Sequence, residues 1–449
     1  MKRIMLTAMG SDQGKTVLTC ALLLAFKRRG LAVRAFKCGP DYIDPMFHSR
    51  VLGVPSRNLD LFLQGEAGVR RTFEETAGEV ALLEGAMGYY DGLAGTEEAS
   101  AYAMARLTGT PAVLVLRPRG ASLTLAAQIC GLINFRKPSY INGIMLTDCS
   151  ASRYESLKPL LERETGLPVL GYLPHDPDAA LPSRHLGLLT AGEIADFTGR
   201  FERLADTLEK TANLDGLFSL AAEGETRTPP PFPEPVCRLA VARDEAFCFC
   251  YADTLDALRR AGAKLCFFSP LRDRTLPEGV CGLYLPGGYP ELYARILAEN
   301  TTMRAEIRRA VRGGLPTVAE CGGFLYLQQE LEDDGGTSWP QCGVLPGKGY
   351  RTKGLRRFGY ARLEAAEDSL LFRRGERVPV HEFHYWDSSD CGRDLTAYKP
   401  DGRSWPCCFT SPTLYAGFPH LCFAGETPVA ERFVEQCANY GNKIMKRDL

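Results

Sequence analysis

The chain has 449 residues, 45% of them hydrophobic and 24% charged, so it is long enough for two domains that each bury a core. Its 53 Lys and Arg residues nearly balance its 54 Asp and Glu residues, which provides no positive field for nucleic acid or an anionic membrane. No apolar run approaches the ~18 residues of a membrane span and the N-terminus has no signal-peptide pattern. We therefore expect a cytoplasmic protein without nucleic-acid or membrane partners, with its 16 cysteines mostly reduced.

Short apolar runs alternate with amphipathic stretches along residues 1–222. This alternation is typical of βαβ units, and it predicts an α/β domain with a doubly wound parallel sheet. The predicted strands are 3–8, 32–37, 80–84, 112–116, 141–146 and 169–173, and helices are predicted at 17–29 and 99–107.

A proline-rich stretch interrupts this pattern. Five prolines fall within residues 229–235, which neither a helix nor a central strand accommodates, so residues 223–236 are predicted to link two domains. The alternation resumes with predicted strands at 238–243, 263–268, 282–285 and 315–319. This indicates a second α/β domain over residues 237–449, although element boundaries beyond residue 349 are left open.

Residues 4–16 have the pattern of a phosphate-binding loop, or P-loop. A predicted strand is followed by Gly-Lys-Thr and a predicted helix, which places backbone N–H groups, the Lys15 ammonium and the Thr16 hydroxyl for phosphates and magnesium. Met9 stands where the strict pattern has glycine, and an ordinary βα turn is the alternative. The candidate nucleotide-binding residues of this loop are Gly10, Ser11, Asp12, Gly14, Lys15 and Thr16.

Two further loops carry acidic residues. Residues 36–48 follow the second predicted strand and residues 82–92 follow the third. Because the carboxyl ends of parallel strands share one sheet edge, both loops are expected beside the phosphate loop. Hydroxyl and carboxylate oxygens suit a magnesium ion shared with nucleotide phosphates. The candidate metal ligands are Thr16, Asp44, Glu84 and Asp91, with Asp41 beside them.

A cysteine lies at a predicted strand–turn–helix junction in the second half. Cys321 follows the apolar run 315–319 and precedes two glycines and a stretch with helical spacing. A thiol at a helix N-terminus is expected to have a lowered pKa and to act as a nucleophile, while a buried cysteine in a tight turn is the alternative. The candidate bases in this half are His381, His384 and His420.

Together these motifs resemble the cobyrinate a,c-diamide synthases of cobalamin biosynthesis. The first half carries GSDQGKT, KCGPDYIDPMFH, LLEGAMGYYDG and LPSRHLGL, and the second carries VARDEAFCF, LPGGYPELYA, AECGGFLYL and HEFHYWD. The resemblance covers nearly the whole chain. It implies a P-loop domain related to dethiobiotin synthetase and then a class I glutamine amidotransferase domain, with Mg²⁺ as cofactor and ATP and L-glutamine as co-substrates.

The resemblance also implies roles for single residues. Cys321 would hydrolyse glutamine with His420 as base, because Pro419-His-Leu-Cys-Phe423 matches the family's C-terminal segment. ATP would activate the a and c carboxylates of the corrin as acyl phosphates for attack by the released ammonia. The implied oxyanion groups are the backbones of Gly287, Gly288 and Gly322, and the implied contacts to phosphates or corrin carboxylates are Lys37, Tyr42, Arg184 and His185.

Some choices stay open. Ala8, Arg117 and Thr147 stand where the family usually has Gly, Asp and an adenine-contacting Asn, so nucleotide base preference is undecided. Another tetrapyrrole, such as a sirohydrochlorin or hydrogenobyrinate, is an alternative substrate, as are other corrin side chains in the manner of cobyric acid synthase. Gly10 disfavours a partition-type ATPase switch, and Cys321 with His420 disfavours a regulator without glutaminase activity. A homodimer is left open.

Overall fold

The computed structural model describes residues 1–177 and 191–445, which form two compact units. The first unit comprises Met1–Leu61 and Gly65–Pro229, and the second comprises Phe62–Gln64 and the residues from Pro230 onward. The chain therefore leaves the first unit inside the proline-rich stretch. Within these described ranges, no helix is long and apolar enough to cross a membrane.

The first unit is built on a sheet whose strands are β1 (Lys2–Ala8), β2 (Val33–Cys38), β3 (Ser56–Leu59), β4 (Val80–Glu84), β5 (Ala112–Leu116), β6 (Ile141–Thr147), β7 (Val169–Leu173) and β8 (Ala222–Glu223). Its strand order is β3-β2-β4-β1-β5-β6-β7, and all neighbours along this path are parallel. The short β8 pairs antiparallel with β1. The helices over this part of the chain are α1 (Lys15–Arg28), α2 (Ile43–Arg50), α3 (Leu61–Glu74), α4 (Ala101–Thr108), α5 (Leu123–Phe135), α6 (Ala151–Thr165), α7 (Ala191–Thr211) and α8 (Leu214–Leu220).

Helices cover both faces of this sheet. On one face the core joins Leu22 and Phe26 of α1 to Phe201 of α7, and on the other it joins Met104 of α4 to Ile129 of α5. Because both faces are covered, a central strand such as β5 is apolar and buried along its whole length. The pairing also brings the ends of three strands together, since Glu84 at the end of β4 lies opposite both Leu6 of β1 and Lys37 of β2.

The second unit contains two sheets, formed by β9 (Cys237–Ala242), β10 (Ala263–Phe268), β11 (Gly282–Leu285), β12 (Thr317–Glu320), β13 (Glu330–Glu332), β14 (Ser338–Pro340), β15 (Lys348–Ala365), β16 (Arg377–Ser388), β17 (Leu395–Tyr398), β18 (Ser404–Cys407), β19 (Phe409–Ser411), β20 (Leu414–Gly417) and β21 (His420–Leu421). One sheet has the order β10-β9-β11-β12-β20-β19, and only its edge pair β19–β20 is antiparallel. The other has the order β14-β13-β15-β16-β21, with β17 and β18 added at β15. The helices are α9 (Ala252–Arg260), α10 (Ala294–Glu299), α11 (Thr301–Arg312), α12 (Gly322–Leu327) and α13 (Val429–Met445).

The predicted α/β class is confirmed for both units, and every predicted strand lies within two residues of an observed one. Eleven of the described strands have no predicted counterpart: β3, β8 and β13 to β21. Strand β3 has the sequence Ser-Arg-Asn-Leu at a sheet edge, and a half-buried polar edge strand has no apolar run to reveal it. Strand β15 escaped prediction for a related reason, since most of it is exposed or only partly buried. Its partner β16 is largely buried, but it lies beyond residue 349, where element boundaries were left open.

Candidate active sites

The predicted phosphate loop forms the turn between β1 and α1. Asp12 and Gly14 have φ values of 59° and 79°, so the backbone curls tightly before the helix begins at Lys15. The Lys15 ammonium is buried and donates to the carbonyl oxygens of Gly10 at 2.9 Å and Met87 at 2.7 Å. Burial lowers the pKa of Lys15 to about 8. Gly10 and Ser11 belong to the same turn, so the candidate nucleotide-binding residues of the phosphate loop lie together.

A buried ion network lies beside this loop. Thr16 donates its hydroxyl hydrogen to Glu84 Oε1 at 2.6 Å, and Lys37 Nζ lies 2.7 Å from the same oxygen. The Lys37 ammonium also lies 2.5 Å from Asp44 Oδ2 and 3.9 Å from Asp41 Oδ2. Although burial opposes it, the charges of Asp44 and Glu84 hold the pKa of Lys37 well above its usual range. The structure thus brings these residues together around one ammonium.

The remaining acidic candidates flank the network. Asp41 Oδ1 accepts from the N–H groups of Ile43 at 2.7 Å and Asp44 at 3.3 Å, which fixes the start of α2 just after Tyr42. Burial raises the pKa of Asp41 to about 7. Asp91 Oδ2 accepts from the N–H of Gly88 at 3.0 Å, in the loop whose Met87 carbonyl binds Lys15. Asp91 therefore lies on the phosphate-loop side of the network.

The donor set fits a magnesium ion shared with phosphates. Thr16 and Glu84 supply a hydroxyl and a carboxylate in contact, and Glu84 Oε2 is buried with no hydrogen-bond partner in the described chain. Over residues 1–177 and 191–445, no group of three or more His, Cys, Asp or Glu residues is arranged to hold a metal by itself. Mg²⁺ typically binds one or two protein groups, with water and phosphate oxygens completing its shell. Thr16 and Glu84 suffice for that pattern.

Three neighbouring residues had no assigned role in the sequence interpretation. His48 is fully buried with its Nε2 3.9 Å from Glu84 Oε2, and it closes the motif that contains Asp44. Thr147 donates to the carbonyl oxygen of Gln13 at 2.7 Å, and the N–H of Arg117 donates to the Gln13 side chain at 2.9 Å. Two of the positions that depart from the family pattern therefore hold the phosphate loop. Arg184 and His185 lie outside the described residues.

The thiol of Cys321 lies in the turn between β12 and α12. Cys321 has a φ of 46°, a strained value for a residue with a side chain, and its N–H donates to the carbonyl oxygen of Gly417 at 2.7 Å. The preceding residue, Glu320, is buried and accepts from the N–H of Leu421 at 2.8 Å and from the Tyr284 hydroxyl at 2.8 Å. These bonds hold residues 417–421 against residues 320–321. His420 lies between the two anchored positions.

The three candidate oxyanion glycines meet at this turn. A Cβ at position 322 would lie 3.0 Å from the backbone nitrogen of Gly288 and 2.9 Å from Cδ of Pro290. A Cβ at position 287 would lie 2.5 Å from Cε1 of His420. Glycine is required for such close approaches. The structure therefore brings Gly287, Gly288, Gly322 and the His420 ring to one place.

The three candidate histidines have different surroundings. His384 Nδ1 donates to the carbonyl oxygen of Trp386 at 2.6 Å, its Nε2 lies 3.0 Å from Glu382 Oε2, and its ring stacks on Phe418. Both nitrogens thus face acceptors, which suits a structural role. His381 pairs with His420 across β16 and β21 and packs against aromatic rings. Burial lowers the pKa of His420 to about 3, which favours the neutral imidazole and makes the ring a weak base in this state.

The predicted lowering of the Cys321 pKa is wrong. Burial raises the pKa of the thiol, and the negative charges of Glu291, Glu382 and Glu320 raise it further. The N-terminal position on α12 is as predicted, but this helix has only 6 residues and its dipole is outweighed by burial. The thiol is therefore neutral in this state and needs a base.

Residues 4–189 match the CobQ/CobB/MinD/ParA nucleotide binding domain family, and residues 238–425 match the CobB/CobQ-like glutamine amidotransferase domain family. The chain is 36% identical over 453 residues to the cobyrinate a,c-diamide synthase of Caldanaerobacter subterraneus subsp. tengcongensis, covering 98% of this chain and 99% of that protein. It is 38% identical over 435 residues to the cobyrinate a,c-diamide synthase of Salmonella typhimurium, covering 93% and 94%. The chain belongs to the cobyrinate a,c-diamide synthase family.

Membership in this family confirms the resemblance inferred from the motifs. The nucleotide-binding match covers the phosphate loop and its acidic neighbours, and the amidotransferase match covers Cys321 and His420. The chain is therefore a glutamine-dependent, amide-forming ligase with a nucleotide-binding domain. The roles of the single residues stay predictions.

The buried network gives a prediction for stability. Replacing Lys37 by Met leaves the carboxylates of Asp44 and Glu84 without their ammonium, so we expect the free energy of unfolding to fall by about 3–5 kcal/mol in urea denaturation. Lys158→Met is the control because Lys158 forms an exposed ion pair with Glu162 at 3.9 Å. We expect it to change stability by less than about 0.5 kcal/mol. Equal effects of the two substitutions would contradict the role given to Lys37.

Proposed function

We propose that this chain converts the a and c carboxylates of cobyrinate into amides, using ATP and L-glutamine. The observation that carries the proposal is that one chain holds both a phosphate loop with buried acidic groups and a strained cysteine among the glycines and a histidine of an amidotransferase domain. Relatives along nearly the whole length are named for this reaction, which supports cobyrinate as the substrate.

In the amidotransferase domain, Cys321 attacks the side-chain amide carbon of glutamine. His420 accepts the thiol proton through its neutral ring and passes it to the departing ammonia, which leaves a thioester. The Gly288 nitrogen lies beside position 322, which supports the N–H groups of Gly288 and Gly322 as the donors to the developing oxyanion, and Gly287 gives the His420 ring room. Water then hydrolyses the thioester and releases glutamate.

In the nucleotide-binding domain, the loop N–H groups from Gly10 to Thr16 and the Lys15 ammonium bind the ATP phosphates. A carboxylate has no good leaving group for attack by ammonia, so it first takes the γ-phosphoryl group and becomes an acyl phosphate. Lys37 stabilises the negative charge that moves during this transfer, while Tyr42 and Asp41 border the substrate. Thr16, Glu84, Asp44 and Asp91 would hold Mg²⁺, which supplies charge neutralisation for the phosphates.

The product identity tests the proposed substrate. Incubation with cobyrinate, ATP, Mg²⁺ and glutamine should give successive losses of about one mass unit as each carboxylate OH is replaced by NH₂ at the a and c positions, measured by mass spectrometry. Parallel incubations with hydrogenobyrinate and a sirohydrochlorin show whether the ring is selected. Amidation of one of those rings, without reaction of cobyrinate, would contradict the proposal.

Replacing Cys321 by Ser tests the nucleophile. We expect glutamine-supported amidation to fall by at least about a thousandfold, because a serine hydroxyl in this buried turn is a poor nucleophile. Amidation supported by added ammonium chloride should persist, since the phosphate site is untouched. Cys266→Ser is the control, because Cys266 is partly exposed on β10. Loss of both activities in the Cys321 variant would reject the assignment.

Two histidine variants test the base. His420→Ala should reduce glutamine hydrolysis by at least about a hundredfold, because no neutral imidazole then accepts the thiol proton. His384→Ala should have a smaller effect, since its nitrogens are directed to Trp386 and Glu382. Steady-state glutamate release measures both, and ammonium-supported amidation verifies folding. The reverse order would move the base to His384.

A further inference from the structure

Glu291 is a buried carboxyl group beside the thiol turn. It lies in a 3-10 turn, Pro290–Tyr293, directly after the Gly287-Gly288 pair, and only 9% of the residue is exposed. This turn packs on the start of α12, where a Cβ at position 322 would lie 2.9 Å from Cδ of Pro290. After burial, the Glu291 charge is the strongest influence that raises the pKa of Cys321. The carboxyl group therefore lies within electrostatic range of the thiol.

Glu291 has no cation to balance it. Within residues 1–177 and 191–445 it forms no ion pair, and its carboxylate accepts a hydrogen bond from its own backbone N–H. Burial raises its pKa to about 8. The other acids near the thiol are satisfied: Glu320 accepts from Tyr284 and Leu421, and Glu382 lies 3.5 Å from the Arg357 guanidinium. Glu291 thus differs from Glu320 and Glu382 in its surroundings.

We propose that the Glu291 carboxylate binds the α-ammonium group of L-glutamine while Cys321 attacks the side-chain amide. Without a cation this buried carboxyl group is held mainly in its neutral form near pH 7, and an ammonium ligand would favour its ionised form through charge-assisted hydrogen bonds. Glutamine carries its ammonium group and its reacting amide at opposite ends of a short chain. This suits a carboxylate in the Pro290–Tyr293 turn, which follows Gly287 and Gly288. This inference rests on the proposed glutaminase function.

The inference predicts selectivity between glutamine and 4-carbamoylbutanoate, which is glutamine without its α-amino group. The full-length wild-type chain should hydrolyse glutamine with a much lower KM than the analogue. Glu291→Gln should raise the KM for glutamine at least about tenfold, because the charged partner is lost. Its KM for the analogue and its rate with ammonium chloride should stay unchanged. Hydrolysis of each amide is measured from the release of its products, and ammonium-supported amidation is measured by mass spectrometry.

Glu299→Gln is the matched control, since Glu299 lies on the next helix and pairs with the exposed Arg295 at 2.8 Å. It should leave every parameter unchanged. An unchanged glutamine KM in Glu291→Gln would overturn the inference, and so would equal losses with glutamine and the analogue, which indicate a general disturbance of the turn. Failure of the proposed function is distinguishable, because the wild-type chain would then hydrolyse neither amide.

Discussion

The close approach of α12 to the loop after β11 determines the thiol site. A Cβ at position 323 would overlap the carbonyl oxygen of Leu285, and one at position 322 would meet Gly288 and Pro290. Only glycine allows the two elements to pack at this distance. As a result the thiol, two backbone N–H groups and an imidazole come from three separate segments at the carboxyl edge of one sheet. The hydrogen bond from the Leu421 N–H to Glu320 then fixes the segment that carries His420 against the segment that carries Cys321.

Buried carboxylates have different consequences in the two domains. Glu84 and Asp44 share the Lys37 ammonium, so their negative charge is compensated inside the site. A metal ion or phosphate that binds there would change the charge balance of this buried ion network. Glu320 accepts only from a neutral hydroxyl and a backbone N–H, and burial raises its pKa to about 7. The hydrogen bonds of Glu320 fix the local geometry and do not require a fully charged carboxylate. The first arrangement suits phosphoryl transfer, and the second suits positioning of the Cys321 and His420 side chains.

The sequence permitted prediction of features that are local. Buried parallel strands appear as continuous apolar runs, and Gly-Lys-Thr after β1 revealed the phosphate loop. Lys37 was placed near the phosphates, but its position between Asp44 and Glu84 depends on the pairing of β2 with β4. Glu320 was missed because its partners, Tyr284 and Leu421, are 36 and 101 residues away in sequence. The pKa of Cys321 was predicted in the wrong direction because the helix terminus is visible in sequence, whereas burial is a tertiary property.

The raised pKa of Cys321 bears on how the proposed glutaminase reaction is controlled. Because burial favours both the protonated thiol and the neutral imidazole, we expect proton transfer to accompany formation of the carbon–sulfur bond instead of preceding it. A neutral buried thiol reacts slowly with oxidants and other electrophiles. Attack becomes favourable once an amide oxygen is placed where the N–H groups near Gly288 and Gly322 stabilise its developing negative charge. Activation of the nucleophile therefore depends on the bound substrate, and a recognition group such as Glu291 would decide which substrate provides it.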